Sequence, residues 1–104
     1  MKRLGVNIDH VATIRNARGS VHPNPLKFAI KAMKYGASSV TIHLREDRRH
    51  INDLDAVKIC SIKGLLVNLE ISTNAKIARK ALNIKPNYIC LVPENRKEIT
   101  TEGG

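Results

Sequence analysis

The chain has 104 residues, enough for one modest hydrophobic core and too few for two domains. It is 42% hydrophobic and 26% charged, as an ordinary soluble domain is, and with 3% aromatics and no Trp its core must be aliphatic. The net charge of +9 admits nucleic acid as a partner, yet the lysines are scattered as on the wet faces of amphipathic helices, with no basic arm, aromatic platform or zinc-finger spacing, so neither nucleic acid nor, without a long apolar run, a membrane is expected.

Met1-Lys2-Arg3 leads into a short strand over residues 4–8 rather than into a signal peptide, which predicts a cytoplasmic protein. Alternation along that strand sets Asn7 and Asp9 on one side and Val6 and Ile8 on the other. Residues 11–25 read as a long polar loop carrying Arg15, Arg18, Gly19, His22, Pro23 and Pro25, and long loops in compact domains tend to be functional. A helix is predicted from about Pro25 to Tyr35, with proline in its first turn, Gly36 as its stop and Phe28, Ala29, Ala32 and Met33 as its apolar stripe.

The second strand, residues 39–43, runs into Arg45-Glu46-Asp47-Arg48-Arg49-His50, a charged loop with almost no apolar cover. Asn52 or Asp53 caps a helix that ends near Gly64 and turns Leu54, Val57 and Ile62 inward. A third strand spans residues 65–71, apolar except for Asn68 and Glu70. Thr73 or Asn74 then caps a helix to about Asn83, with Ile77, Ala78, Ala81 and Leu82 on one face, and a fourth strand over residues 88–92 stops at Pro93. Cys60 and Cys90 lie far apart among apolar residues and form no Cys-x-x-Cys pair, so two buried reduced thiols are expected.

Strand and helix alternate with the period of a βα repeat, which predicts an α/β fold with parallel strands. A short open sheet and the N-terminal half of a TIM (β/α)₈ barrel both fit, with four strands and about three helices. The whole chain then reads as a single partial domain cut after the fourth strand.

The unexpected polar groups all fall at C-terminal strand ends: Asn7, Asp9 and His10 after the first, His43 and Arg45 after the second, Glu70 in the third, and the loop from Glu94 after the fourth. In a parallel α/β sheet these ends form one rim, where substrates bind. A carboxylate in an apolar strand has a raised proton affinity, as a general acid or base needs, although Glu70 also reads as a paired structural group. A histidine beside an arginine at a strand mouth suits an anionic substrate whose protons must move. Arg18 next to Gly19 reads either as loop decoration or as a phosphate clamp. Asp9, His10, His43, His50 and Glu70 include metal-ligand types, but no His-x-His or His-x-x-x-His pair supports a metal.

Gly5-Val6-Asn7-Ile8-Asp9-His10, Arg15-Asn16-Ala17-Arg18-Gly19, the run His43 to His50, Asn68-Leu69-Glu70, Leu91-Val92-Pro93-Glu94 and Thr100-Thr101-Glu102-Gly103-Gly104 occur in order. Together they resemble the pyridoxine 5′-phosphate synthase family of vitamin B6 biosynthesis over residues 4–104. The resemblance implies a (β/α)₈ barrel, assembled as a homo-octamer. It implies a transferase that condenses 3-amino-2-oxopropyl phosphate with 1-deoxy-D-xylulose 5-phosphate to pyridoxine 5′-phosphate, phosphate and water. No organic cofactor and no catalytic metal are implied. Carried over by motif, Asn7 and Arg18 bind the aminoketone phosphate. Asp9, His10, Arg45, His50 and Thr100 bind the deoxyxylulose phosphate, and His43 and Glu70 are proton acceptors. The family continues for roughly another half barrel, which carries a further catalytic histidine and glycine-rich amides that grip a phosphate. Two other readings stay open: an inactive phosphate-binding fragment, or a half-barrel needing a partner chain, and a metal-dependent hydrolase.

Overall fold

The computed structural model describes residues 2–95 and 97. Four strands, β1 (Gly5–Asn7), β2 (Ser39–His43), β3 (Val67–Ile71) and β4 (Tyr88–Leu91), pair in parallel in the order β1-β2-β3-β4. Four helices connect them: α1 (Asp9–Arg18), α2 (Pro25–Lys34), α3 (Asp53–Cys60) and α4 (Ala75–Ile84). A sheet whose spatial order follows the sequence without reversal is the first half of a (β/α)₈ barrel, not a doubly wound sheet, whose order turns back at a switch point.

One face of the sheet is dry. Val40, Ile42, Val67, Leu69 and Ile71 pack there against Ala12 of α1, Ala29 of α2, Ala56 and Ile59 of α3, and Ile77 and Ala81 of α4. Burying each large aliphatic side chain stabilises the fold by about 1.5–3 kcal/mol. The small residues on the helices let them lie close to the β-branched strand surface. The opposite face, the barrel's inner one, holds the alternate residues. Register aligns Asn7, Thr41, Asn68 and Tyr88 in one row and His43, Glu70 and Cys90 in the row nearer the C-terminal ends.

The helix ends follow from local chemistry. Asn24 caps α2, with its side chain accepting from Leu26 N–H and Pro25 filling the first turn. Asn52 and Asp55 form a reciprocal capping box on α3, and the Asn74 side chain accepts from two amides at the start of α4.

Several expectations are corrected. Residues 11–25 are not one loop, because α1 occupies Asp9–Arg18 and brings the helix count among the described residues to four. Few of its residues are apolar, so the periodicity is faint. The helix is held by a left-handed stop at Gly19, an acid in the first turn, bases in the last and a long-range ion pair from Arg15 to Asp55. α3 is rotated from the expected face: Leu54 and Val57 are exposed, while Ala56 and Ile59 are buried. Leu82 of α4 and Phe28 of α2 are exposed as well. Gly64 does not end a helix; α3 stops at Cys60, and Gly64 turns the chain towards β3. Both cysteines are free, as expected, but only half-buried.

Candidate active site

The first two strands are joined at their C-terminal ends by Asp9. β1 stops at Asn7, whose side chain bridges the turn: its Oδ1 accepts from Asp9 N–H at 2.8 Å and its Nδ2 donates to Asp9 Oδ2 at 3.0 Å. The buried carboxylate of Asp9 then accepts the backbone N–H of His43 through Oδ1 at 2.7 Å. Its negative charge also lies in the first turn of α1, where the helix dipole favours it.

His43 ends β2 and is 2% exposed. Its Nε2 lies 3.0 Å from Glu94 Oε2, and the other Glu94 oxygen accepts the backbone N–H of Glu46 at 3.1 Å. Two residues on, Arg45 is 1% exposed, a costly place for a cation without anionic partners. Its guanidinium donates to both oxygens of Asp47, at 3.1 and 3.4 Å, and to the carbonyl of Asn95 at 3.3 Å. Asp47 also accepts from the Arg49 side chain. Burial opposes charge on Asp47, but the two guanidiniums outweigh it and hold the carboxyl far below the usual range. The loop is shaped from within, since Arg48 adopts a left-handed backbone and its side chain donates to the carbonyls of Arg45 and Glu46 and to Asp53.

The loop delivers His50 back to the rim. Its ring centroid lies 6.0 Å from that of His43 and 6.1 Å from that of His10. Helix α1 fixes this return: Asn16 Nδ2 donates to the His50 carbonyl at 2.9 Å, and Arg15 grips Asp55 with two bonds of 2.6 and 2.8 Å. Burial, with His43, His10 and Arg45 nearby, pushes the His50 imidazolium towards deprotonation against the pull of Asp9. Its Nδ1 accepts from Ile51 N–H at 2.9 Å, so the neutral ring carries its hydrogen on Nε2. His50 therefore offers a fixed N–H donor, suited to a substrate oxygen.

Asp9, His43 and His50 present ligand-type atoms that all lie within 4.8 Å of one another, a spacing open to a metal ion. The donor set fits poorly, because the His50 nitrogen with a lone pair is already occupied by Ile51 N–H and the other carries a proton.

Glu70 pairs in register with His43 on the neighbouring strand. Partial burial, reinforced by Asp9, raises its proton affinity, and His43 works in the opposite direction. Among the residues singled out from sequence, Asn7, Asp9, His10, His43, Arg45, His50 and Glu70 thus gather at the C-terminal ends of β1, β2 and β3. Arg18 stands apart at the exposed end of α1 and, among the described residues, makes no hydrogen bond or ion pair. Thr100 lies outside the described residues. Sequence reasoning passed over Glu94, Asp47 and Asn16 as individual groups. For Glu94 a signal was available: it is the carboxylate next to the proline that stops β4, on the same rim as the others.

A cleft of about 410 Å³ opens beside Glu94, lined also by Glu46, Ser72, Thr73, Leu91, Val92 and Pro93. A buried imidazole, a half-buried carboxylate with raised proton affinity and a fixed guanidinium around one mouth can exchange protons with a bound anion and hold it in place.

Residues 4–104 match the family model described as pyridoxal phosphate biosynthesis protein PdxJ. The chain belongs to the PdxJ family. It is 66% identical over its full length to the pyridoxine 5′-phosphate synthase of Pelagibacter ubique, covering 44% of that protein. It is 53% identical over 102 residues to that of Rhodopseudomonas palustris and 52% identical over 101 residues to that of Blochmanniella pennsylvanica, covering 40% and 41% of them. The chain thus spans less than half the length of these PdxJ relatives. Among the described residues, no helix is long and apolar enough to cross a membrane.

Proposed function

We propose that this chain contributes to the synthesis of pyridoxine 5′-phosphate from 3-amino-2-oxopropyl phosphate and 1-deoxy-D-xylulose 5-phosphate, with release of phosphate and water. The single observation that carries this reading is the convergence of Asp9, His43, Arg45, His50 and Glu70 at one rim in a member of the PdxJ family.

The chemistry demands such a cluster. Amine and ketone join as an imine with loss of water, phosphate leaves, and a carbon–carbon bond closes the ring. Each step moves a proton, so several bases must stand near one bound intermediate. In this reading His43 and Glu70 accept protons. Asp9, His10, Arg45, His50 and Thr100 hold the deoxyxylulose phosphate, and Asn7 and Arg18 hold the aminoketone phosphate. Fixing both anions trades translational freedom for orientation. The Arg45 guanidinium, fixed at the rim by Asp47, supports the phosphate assignment, since a held fork of donors suits an oxyanion. We propose that the protein works in the cytoplasm and as a homo-oligomer.

The test is direct. The chain is incubated with both phosphorylated substrates, alone and with a polypeptide comprising the remaining length of the Pelagibacter ubique relative, and pyridoxine 5′-phosphate is measured by chromatography. Product that disappears in Glu70→Gln supports the reading. No product under either condition contradicts it.

A further inference from the structure

The segment after β4 reaches across the end of β3 and clasps the loop after β2, although β2 and β4 are not neighbours in the sheet. Among the described residues it meets His43 at the end of β2 and two places in the loop. Glu94 Oε2 meets His43 Nε2 at 3.0 Å, Glu94 Oε1 accepts from Glu46 N–H at 3.1 Å, and the Asn95 carbonyl accepts from Arg45 at 3.3 Å. The side chains of His43 and Glu94 are 3% and 7% exposed, so water screens their pairing little.

From this geometry we infer that Glu94 is the positioning residue of His43, setting which ring nitrogen carries the proton. The inference rests on His43 acting as a base in the proposed function. An ionised carboxylate can only accept, so opposite Glu94 the neutral ring bears its hydrogen on Nε2. The lone pair then sits on Nδ1, and His43 takes a proton from substrate through that atom. The transfer balances: substrate loses a proton, Nδ1 gains it, and the resulting imidazolium is stabilised by the Glu94 carboxylate, which itself stays ionised. This is the logic by which a buried carboxylate orients a catalytic histidine in hydrolase triads. The anchor on Glu46 N–H keeps the carboxylate from swinging away, and the Asn95 contact ties the same segment to the candidate anion-binding arginine.

The test reads the proton position directly. Long-range ¹H–¹⁵N spectra of the imidazoles are recorded on the ¹⁵N-labelled chain at about pH 8, where an ordinary histidine is neutral. The wild-type His43 is expected as the Nε2–H tautomer. In Glu94→Gln the amide oxygen keeps the Glu46 N–H and the amide NH₂ faces His43, so the hydrogen should move to Nδ1. Glu94→Asp, which keeps a carboxylate, should retain the wild-type tautomer. In protein that turns over, Glu94→Gln is expected to lower kcat by about 10- to 100-fold with little change in KM, a modest share of what general acid–base catalysis supplies. An unchanged His43 tautomer in Glu94→Gln, with amide spectra reporting a folded protein, overturns the inference. If Glu94→Gln does not fold, Glu94→Ala is read in the same way, and a single retained Nε2–H form there also overturns it. Because the tautomer is read without turnover, a chain that makes no product removes the proposed function and leaves this measurement to decide the role of Glu94.

Discussion

The carboxylate of Asp9 and the backbone amide of His43, 34 residues apart in sequence, meet at 2.7 Å in the protein interior. This bond fixes the end of β2 against the start of α1 and brings two candidate site residues together before any ligand arrives. Asp9→Ala leaves the buried His43 N–H without its acceptor, which costs about 1–3 kcal/mol. Asp9→Asn keeps an acceptor oxygen but turns an amide NH₂ towards Asn7, and should lose less. Urea unfolding followed by circular dichroism is expected to rank stability as wild type, then Asn, then Ala. An Ala variant as stable as wild type removes Asp9 as the joint between the two strands.

Arg15 and Asp55 form a two-bond ion pair whose side chains are each 12% exposed, and Asp55 also closes the capping box of α3. Arg15→Ala should destabilise by about 1–2 kcal/mol, as loss of charged hydrogen bonds does. Asp55→Ala should cost more, because it removes a cap worth roughly another 1 kcal/mol. Denaturant midpoints check both. Equal losses indicate that the cap and the pair are not separate contributions.

Glu70 carries a cost at neutral pH. Its proton affinity is raised by burial, with Asp9 adding to the effect. A carboxyl whose folded value lies above its unfolded value favours the fold when protonated. That contribution is lost as pH climbs from about 4.3, where the unfolded chain ionises, through the higher folded value. Glu70→Gln should therefore match wild type in thermal stability below that range and equal or exceed it at neutral pH, while abolishing turnover. Melting curves across pH 3–8 on that variant decide the point, and a variant less stable at neutral pH contradicts the sign.

Asp47 behaves in the opposite sense. Burial opposes its ionisation, but hydrogen bonds from Arg45 and Arg49 hold it depressed. A depressed carboxyl stabilises the fold above its unfolded value, about 3.9, and this contribution is lost only as pH falls towards its folded value. Asp47→Asn should be less stable at pH 7 and show a shallower acid limb below about pH 4. Acid titration followed by circular dichroism measures the limb, and identical limbs in the two proteins place the acid sensitivity elsewhere, for example at Asp53, which Arg48 and Lys80 likewise depress.

Much of this was legible in the chain. The strands lay where β-branched residues cluster, and β2 begins and ends where expected. The rim followed from one inference, that parallel strands bring their C-terminal ends together. Helix α1 is faint in the sequence because its stability lies in the Gly19 stop and in the Arg15–Asp55 pair, 40 residues apart, rather than in an apolar stripe. The inward face of α3 is hard to read from sequence for a related reason. Leu54 and Val57 stand three apart and look like an apolar stripe, yet Ala56 and Ile59, also three apart, are the pair turned to the sheet. Glu94 was visible as a carboxylate at a strand end, but its contact with His43 crosses an intervening strand, and no local pattern encodes such a reach.

We propose that one rim of this sheet recognises a phosphorylated sugar through Arg45 and His50 beside His43. Imidazole and guanidinium resonances of the ¹⁵N-labelled chain, followed while 1-deoxy-D-xylulose 5-phosphate is titrated in, test it most directly. The expected result is saturable shifts at His43, His50 and Arg45, with those at His43 and His50 abolished in a folded Arg45→Gln variant. Shifts confined to surface lysines, or His43 and His50 shifts that persist unchanged in Arg45→Gln, would contradict it.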